Sequence, residues 1–279
     1  MELELKNISV KYPDWGMNNV SLLVESGTFL SVVGPSGCGK TTLLKTISGL
    51  QPHSSGTVLF DGKIVDNVPV HKRGIGFVFQ GNTLFSHLNV FENVAFGLRI
   101  KKQEGIEKKV ENLLALVGLK GFSQRNVLKL SGGQQRRVEI ARALAIEPKL
   151  LLMDEPLTGL DAKLREKLKQ QIKEIQSKFG VTTVYVTHDI EEAFFLSDKI
   201  AVMSDAKIEQ IGSPEEIFLK PKTPFVKEFV SDYSIIEARI EKNGAKKSLK
   251  ASIGIPMQGI EEGTFLLPIK KNNLKKKPV

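Results

Sequence analysis

The residues best suited to chemistry in this chain share one setting: each stands at the end of a short apolar run. GPSGCGKTT (residues 34–42) follows SVV, Gln80 follows GIGFVF, Asp154 and Glu155 follow KLLLM, and His188 follows VTTVYVT. The first fits G-x-x-x-x-G-K-[ST], in which a glycine turn between strand and helix cradles phosphates with backbone N–H groups. Its members are Gly34, Pro35, Ser36, Gly37, Cys38, Gly39, Lys40, Thr41 and Thr42. Lys40 is expected to reach the β- and γ-phosphates of a nucleotide, and Thr41 to offer its hydroxyl to Mg2+. A carboxylate ending an apolar strand is costly unless something cationic faces it, so Asp154 is expected in the same metal shell. Glu155 is then placed to polarise an attacking water. Gln80 or His188 alone would be an ordinary polar residue with its hydrogen bonds satisfied. Four strands delivering Lys, Gln, Asp-Glu and His to one edge suit charge and hydrogen-bond work on a triphosphate. With no acceptor in view, the simplest reaction is transfer to water.

KLSGGQQRRVEIARAL (residues 129–144) carries a second glycine turn, with no lysine inside it and no strand before it. A helix N-terminus holds an anion through N–H groups and the helix dipole, each worth about 1 kcal/mol. Either Ser131 is an ordinary N-cap, or the element completes a site whose other half lies elsewhere. A cap needs only the serine, so Gly132 and Gly133 are surplus to it, and they would let a foreign backbone or phosphate approach closely. The other half is the chain's own ATP or, more economically, the ATP held by a second copy. Cys38, inside the first loop, is open to two readings: a thiolate favoured by N–H dipoles and Lys40, or an inert filler.

These groups need a scaffold that brings strand ends together. Alternating LELKNISVKY and NVSLLVESGTFLSVVG read as strands, and GTVLFDGKIV as strand, Asp-Gly turn and strand. Residues 28–33 are apolar and β-branched, like a strand buried on both faces. Further strands are GIGFVFQ, KLLLMD, VTTVYVTH and KIAVMS. Between about residues 88 and 147 the pattern is helical, an insertion into an α/β body. DAKLREKLKQQIKEIQSKF spaces Leu164, Leu168, Ile172, Ile175 and Phe179 along one helix face. SPEEIF opens a late helix with a Ser cap and Pro at its first position. After residue 232 the period returns to two in IIEARIE, SLKASIGI and GTFLLPIKK, a small β appendix that should lean on the main body or a partner.

Composition excludes several classes. Hydrophobic residues make up 41% and charged residues 25% of the 279, as in an ordinary soluble domain. No apolar stretch approaches the ~20 residues that span a bilayer, and MELELKNISV has no apolar core of a signal peptide. One cysteine fits a reducing compartment. The net charge is +9, but from Glu237 onward ten Lys or Arg face four Asp or Glu, leaving only +3 for the rest. The basic balance describes a solvated tail rather than a nucleic-acid-binding face.

Taken in order, GPSGCGKTT, VFQ, LSGGQ, LLLMDEP, GLD and VTHD resemble the ATPase subunits of ATP-binding cassette (ABC) transporters over about residues 1–232. That resemblance implies an α/β fold: a P-loop NTPase (RecA-like) core at 1–87 and 148–232 with an N-terminal antiparallel β subdomain, a helical signature subdomain at 88–147, and a C-terminal appendix at 233–279. It implies ATP and Mg2+ as cofactors. It also implies a head-to-tail dimer in which each ATP lies between one chain's phosphate loop and the other's Ser131, Gly132, Gly133 and Gln134. Asp161 of GLD would run along the dimer seam, His188 would contact the γ-phosphate, and Gln80 would sense Mg2+ and the attacking water. An aromatic residue would stack on adenine: Tyr12 matches best, with Trp15 three residues on.

HKRGIGFVFQGNTLFSHLNVFENVAFGL and IGSPEEIFLKPKTPFVKEFVSD resemble bacterial importers of polyamines, ferric iron, sulfate, molybdate or sugars. Those work with permease subunits and an extracytoplasmic binding protein, which would put this chain peripherally on the cytoplasmic face of the inner membrane. The appendix is about half the length of the regulatory domain many of them carry, so no sensing role is assigned. Phe85, Phe91 and Phe96 either line a permease groove or belong to the helical core. The rival class, a soluble cassette ATPase acting on nucleic acid or ribosomes, usually carries two cassettes or a coiled-coil arm, and neither is here. Glu155 disfavours a non-catalytic binding module.

Overall fold

The structure, a computed structural model, describes residues 1–240 and 263–270. The first hydrophobic alternation builds β1 (Leu3–Lys11), β2 (Gly16–Val24), β4 (Ser55–Phe60) and β5 (Lys63–Ile64), an antiparallel sheet in the order β2-β1-β4-β5. In β1 the buried positions move from Leu3 and Leu5 to Ile8 and Val10. That change of parity needs one extra residue, and Asn7 supplies it with φ 52° where the β1–β2 register shifts.

The second sheet has the order β10-β9-β3-β8-β7-β6, from β3 (Phe29–Val33), β6 (Ile75–Val78), β7 (Leu150–Asp154), β8 (Thr182–Thr187), β9 (Lys199–Ser204) and β10 (Lys207–Gly212). All its strands are parallel except β10, an antiparallel edge strand that the hydrophobic pattern does not single out. The central runs are apolar without interruption because both faces are covered. Leu150, Leu152, Val184 and Val186 face a core shared with β1, β2, β4 and α1 (Lys40–Ser48). Leu151, Met153 and Tyr185 face a core shared with α2 (Val90–Ile100), α3 (Ile106–Leu116), α4 (Gly132–Ala145) and α5 (Ala162–Phe179).

The helix starts follow local chemistry. Asn89 with Glu92, Ser131 with Gln134 and Ser213 with Glu216 each form a reciprocal capping box. On α5, Leu168, Ile172 and Ile175 are buried and Leu164 half-buried, but Phe179 is exposed. The buried stripe ends at Ile175, one turn before Phe179, the last helical residue, after which Gly180 closes the helix in a left-handed cap. A third cluster joins β9 to α6 (Ile190–Leu196), α7 (Pro214–Leu219) and α8 (Pro224–Phe229). Of the appendix, β11 (Tyr233–Ile240) and β12 (Gly263–Lys270) pair antiparallel over eight residues each. β12 runs beside α6, and Tyr233 meets Phe218 edge-on at 6.3 Å. The expected strand SLKASIGI and most of the basic tail lie outside the described residues.

Candidate functional site

Parallel strands deliver their C-terminal ends to one edge, and there β3, β8, β7 and β6 stand side by side. The chain leaves β3 through Gly34, whose backbone runs so close to β9 that a Cβ would lie 2.0 Å from the Met203 carbonyl oxygen. The turn then passes through exposed Pro35, Ser36 and Gly37, buries Cys38, and enters α1 at Lys40. Lys40 is 5% exposed, and its Nζ donates to the carbonyls of Gly34 (2.8 Å) and Pro35 (2.7 Å). The ammonium is held over the loop by the loop itself. Thr42 lies two positions further along α1, its carbonyl accepting from the Thr46 hydroxyl at 2.9 Å.

Thr41 Oγ1 donates to Asp154 Oδ1 across 3.1 Å, so the two residues expected around a cation are in contact. Burial pushes the Asp154 carboxyl above its usual range, with Glu155 adding like charge while the Thr41 hydrogen bond, Lys45 and Lys40 oppose. A carboxylate destabilised in this way is one that a cation would favour. Thr41, Asp154 and the Gln80 amide offer hard oxygens, the donor type Mg2+ takes. Among the described residues no group of three or more His, Cys, Asp or Glu could hold a metal alone. A site of this kind is completed by phosphate oxygens and water.

Glu155 is the meeting point of three elements. Its Oε2 accepts from Gln80 Nε2 (3.2 Å) and Thr158 Oγ1 (3.0 Å) and lies 3.3 Å from His188 Nδ1. Its backbone sits at φ 42°, a left-handed conformation that costs a non-glycine residue about 1–2 kcal/mol. The bond from Glu155 N–H to the Val186 carbonyl (2.9 Å) fixes that turn against β8. Gln80 stands two residues beyond the end of β6 and His188 one beyond β8, and both are exposed. The expectation that these side chains converge is therefore met. Thr158 was missed, because nothing in its type or spacing separates it from an ordinary turn threonine.

Four residues past His188, Glu192 is buried and accepts from Tyr185 and Thr187 hydroxyls, each at 2.8 Å. Burial raises its carboxyl above the ordinary range, as it raises the Tyr185 phenol.

Ser131 caps α4: its hydroxyl accepts from Gln134 N–H (3.4 Å), and Gln134 Oε1 accepts from Ser131 N–H (3.0 Å). The two glycines part company. A Cβ on Gly133 would lie 2.1 Å from Leu164 Cδ2, so Gly133 is required by this chain's own packing against α5. Gly132 is exposed, with nothing within 4 Å of such a Cβ. Only Gly132 keeps the open approach that the glycine pair suggested. Asp161 caps α5, accepting from Leu164 N–H at 3.0 Å.

Of the two readings of Cys38, its burial favours the unreactive one. Burial raises the thiol above its ordinary range despite Lys40 Nζ at 3.8 Å, because desolvation outweighs the nearby charge. Tyr12 is exposed, donates to Gln51 Oε1 (2.8 Å), and its ring lies 5.7 Å from that of Trp15. Trp15 reaches the loop: its ring edge lies 3.0 Å from where a Cβ of Gly39 would be. Phe85 and Phe96 pair at 4.5 Å with Phe96 exposed, while Phe91 packs against the helical core.

Residues 17–158 match the family model described as ABC transporter. The chain is 50% identical over 237 residues to the spermidine/putrescine import ATP-binding protein of Clostridium acetobutylicum, covering 84% of this chain and 67% of the relative. It is 43% identical over 249 residues to the sulfate/thiosulfate import ATP-binding protein of Bacillus cereus, covering 87% and 70%. Among solved structures, a dimeric ATP-binding cassette in a post-hydrolysis state with ADP and Pi matches with TM-score 0.68 at 35% identity, covering 76% of this chain and 98% of that one. A component of an ABC transporter complex from Clostridium perfringens matches with TM-score 0.72 at 32% identity, covering 82% and 92%.

Proposed function

Because the chain belongs to the ATP-binding cassette transporter family and is an ATPase, we propose that it powers an importer through ATP-driven closure of a head-to-tail dimer. The observation that carries the chemistry is the convergence on Glu155 of Gln80, Thr158 and His188, beside the contact of Thr41 with Asp154. The loop N–H groups and Lys40 hold the β- and γ-phosphates. Thr41 and Asp154, with Gln80 alongside, would hold Mg2+, which would supply charge neutralisation on the phosphates. Glu155 takes hydrogen-bond donation on Oε2, which leaves Oε1 without a described side-chain partner and available to a water. That water attacks the γ-phosphorus, the bond to the β,γ-bridging oxygen breaks, and ADP and phosphate leave. His188 donates to the γ-phosphate, and Tyr12, backed by Trp15, stacks on adenine.

Ser131, Gly132 and Gln134 face the ATP of the second copy, with Asp161 at the seam. The solved dimer of a relative with ADP and Pi supports this reading, as does the open face at Gly132. Permease subunits hold the dimer at the cytoplasmic face of the inner membrane, and a solute-binding protein outside supplies them. No helix among the described residues is long and apolar enough to cross a membrane. Relatives named for a cationic and an anionic cargo match at 50% and 43%, which fits cargo choice by other subunits. The nucleic-acid reading finds no support among relatives named for import.

Mixing two inactive variants tests the shared site. Lys40→Ala and Ser131→Arg homodimers each carry two broken sites. The mixed dimer holds one site with an intact Lys40 and an intact Ser131. Single-turnover hydrolysis above both parents is expected. A tag-verified mixed dimer as inactive as either parent overturns the composite site.

A further inference from the structure

Beyond β6 the chain leaves the sheet, and the segment 79–83 around Gln80 loses its ladder partners. Backbone groups in that position need others. One helix supplies them. Arg136 donates from Nη1 to the Phe79 carbonyl and from Nη2 to the Gln80 carbonyl (2.8 Å). Glu139, one turn along α4, accepts through Oε1 from the Thr83 N–H (2.7 Å) and hydroxyl (3.0 Å). Its Oε2 meets Arg136 Nη1 at 2.7 Å. The pair is buried, 8% and 3% exposed.

A buried ion pair adds little net stability over an apolar pair of equal volume, because desolvation offsets the attraction. What this pair adds is register: it grips the backbone on both sides of Gln80. Its helix is the one that Ser131 caps, five residues or about 7.5 Å along the axis. We propose that Arg136 and Glu139 are positioning residues, a buried clamp through which α4 sets the Gln80 backbone, so that the Gln80 amide meets Glu155 only when α4 is in register with the sheet edge. The proposal rests on the reading of Gln80 and Glu155 as the hydrolytic pair. It makes α4 a rigid lever from the Ser131 end to the water site.

Replacing both residues, Arg136→Met with Glu139→Leu, roughly keeps volume and removes the two opposite charges together; Arg142 loses the carboxylate beside it but keeps its own bonds to the Thr83 carbonyl and hydroxyl. This variant should fold and bind ATP like wild type, yet lose kcat about ten-fold; Gln80→Ala should lose as much, and the triple variant no more, since groups acting as a unit are not additive. Losses that multiply, or unchanged kcat in the folded double variant, would overturn the clamp. If that variant does not fold, Glu139→Gln keeps the oxygen facing Thr83 and should give a smaller loss, again not additive with Gln80→Ala. A readout free of turnover is amide exchange in the nucleotide-free protein. The Thr83 N–H should exchange at least about ten-fold more slowly than that of Gly81 in wild type, and an unprotected Thr83 would overturn the clamp. Should Gln80→Ala leave kcat unchanged, the hydrolytic reading of Gln80 falls and Thr83 exchange alone judges the clamp.

Discussion

The phosphate loop at 34–42 and the helix start at 131–134 are both glycine turns opening a helix, yet they differ in what stands in front of them. Before the first, three further strand ends present Gln80, Asp154 with Glu155, and His188, and its own lysine is folded onto it. Before the second, Ser131 and Gln134 bond each other, and Gly132 faces open space. The first carries a complete set of charge and acid–base groups. The second carries N–H groups and a helix dipole, too little to hold a polyphosphate alone. In the proposed dimer, another chain brings the rest.

The sharpest way to break this contrast is at Glu155. Glu155→Gln keeps size and the acceptor for Gln80 but removes the charge that orients water. Turnover should fall by about 10²–10⁴-fold, the range for a lost general base, while ATP binding persists and ATP now traps a stable dimer on a sizing column. Hydrolysis within a few-fold of wild type would remove Glu155 from the chemistry.

The two glycines of the second element sharpen the comparison at smaller scale. Gly133→Ala pushes a methyl into Leu164, so stability should drop by about 1–2 kcal/mol in a denaturant titration. Gly132→Ala meets nothing in its own chain and should leave that titration unchanged. If a nucleotide on the partner sits over Gly132, the same methyl should still slow hydrolysis several-fold, an effect confined to the dimer. A stable Gly132→Ala variant with wild-type turnover would place the partner's ATP elsewhere.

The smallest effect concerns Cys38. Thiolate is the reactive form, and burial holds its pKa above the ordinary thiol range. Maleimide labelling at neutral pH should therefore be slower than that of free cysteine and keep rising as pH climbs past that range. MgATP should slow it further. Fast labelling at neutral pH would mean that the loop opens.

Much of this was legible in the residues. Lys40, Thr41 and Asp154 declare themselves because a phosphate loop and a carboxylate ending an apolar strand have few other uses, and both depend on short-range pattern. Cap residues such as Ser131 and Ser213 are legible for the same reason: the bond they make spans three residues. Thr158, the bulge at Asn7 and the edge strand β10 were not, since each is defined by what lies across from it. Gly133 shows the limit most plainly. Its absent side chain looked like room for a visitor, yet the space belongs to Leu164, over thirty residues away in sequence. Local chemistry thus determined which groups could act and where helices and strands begin. Only the tertiary structure decided that Gln80, Thr158 and His188 share one oxygen of Glu155, that burial outweighs Lys40 at Cys38, and that Arg136 and Glu139 reach back to hold the strand end. Those outcomes depend on distances between elements far apart in the chain and on the dielectric around them, neither of which a linear pattern encodes.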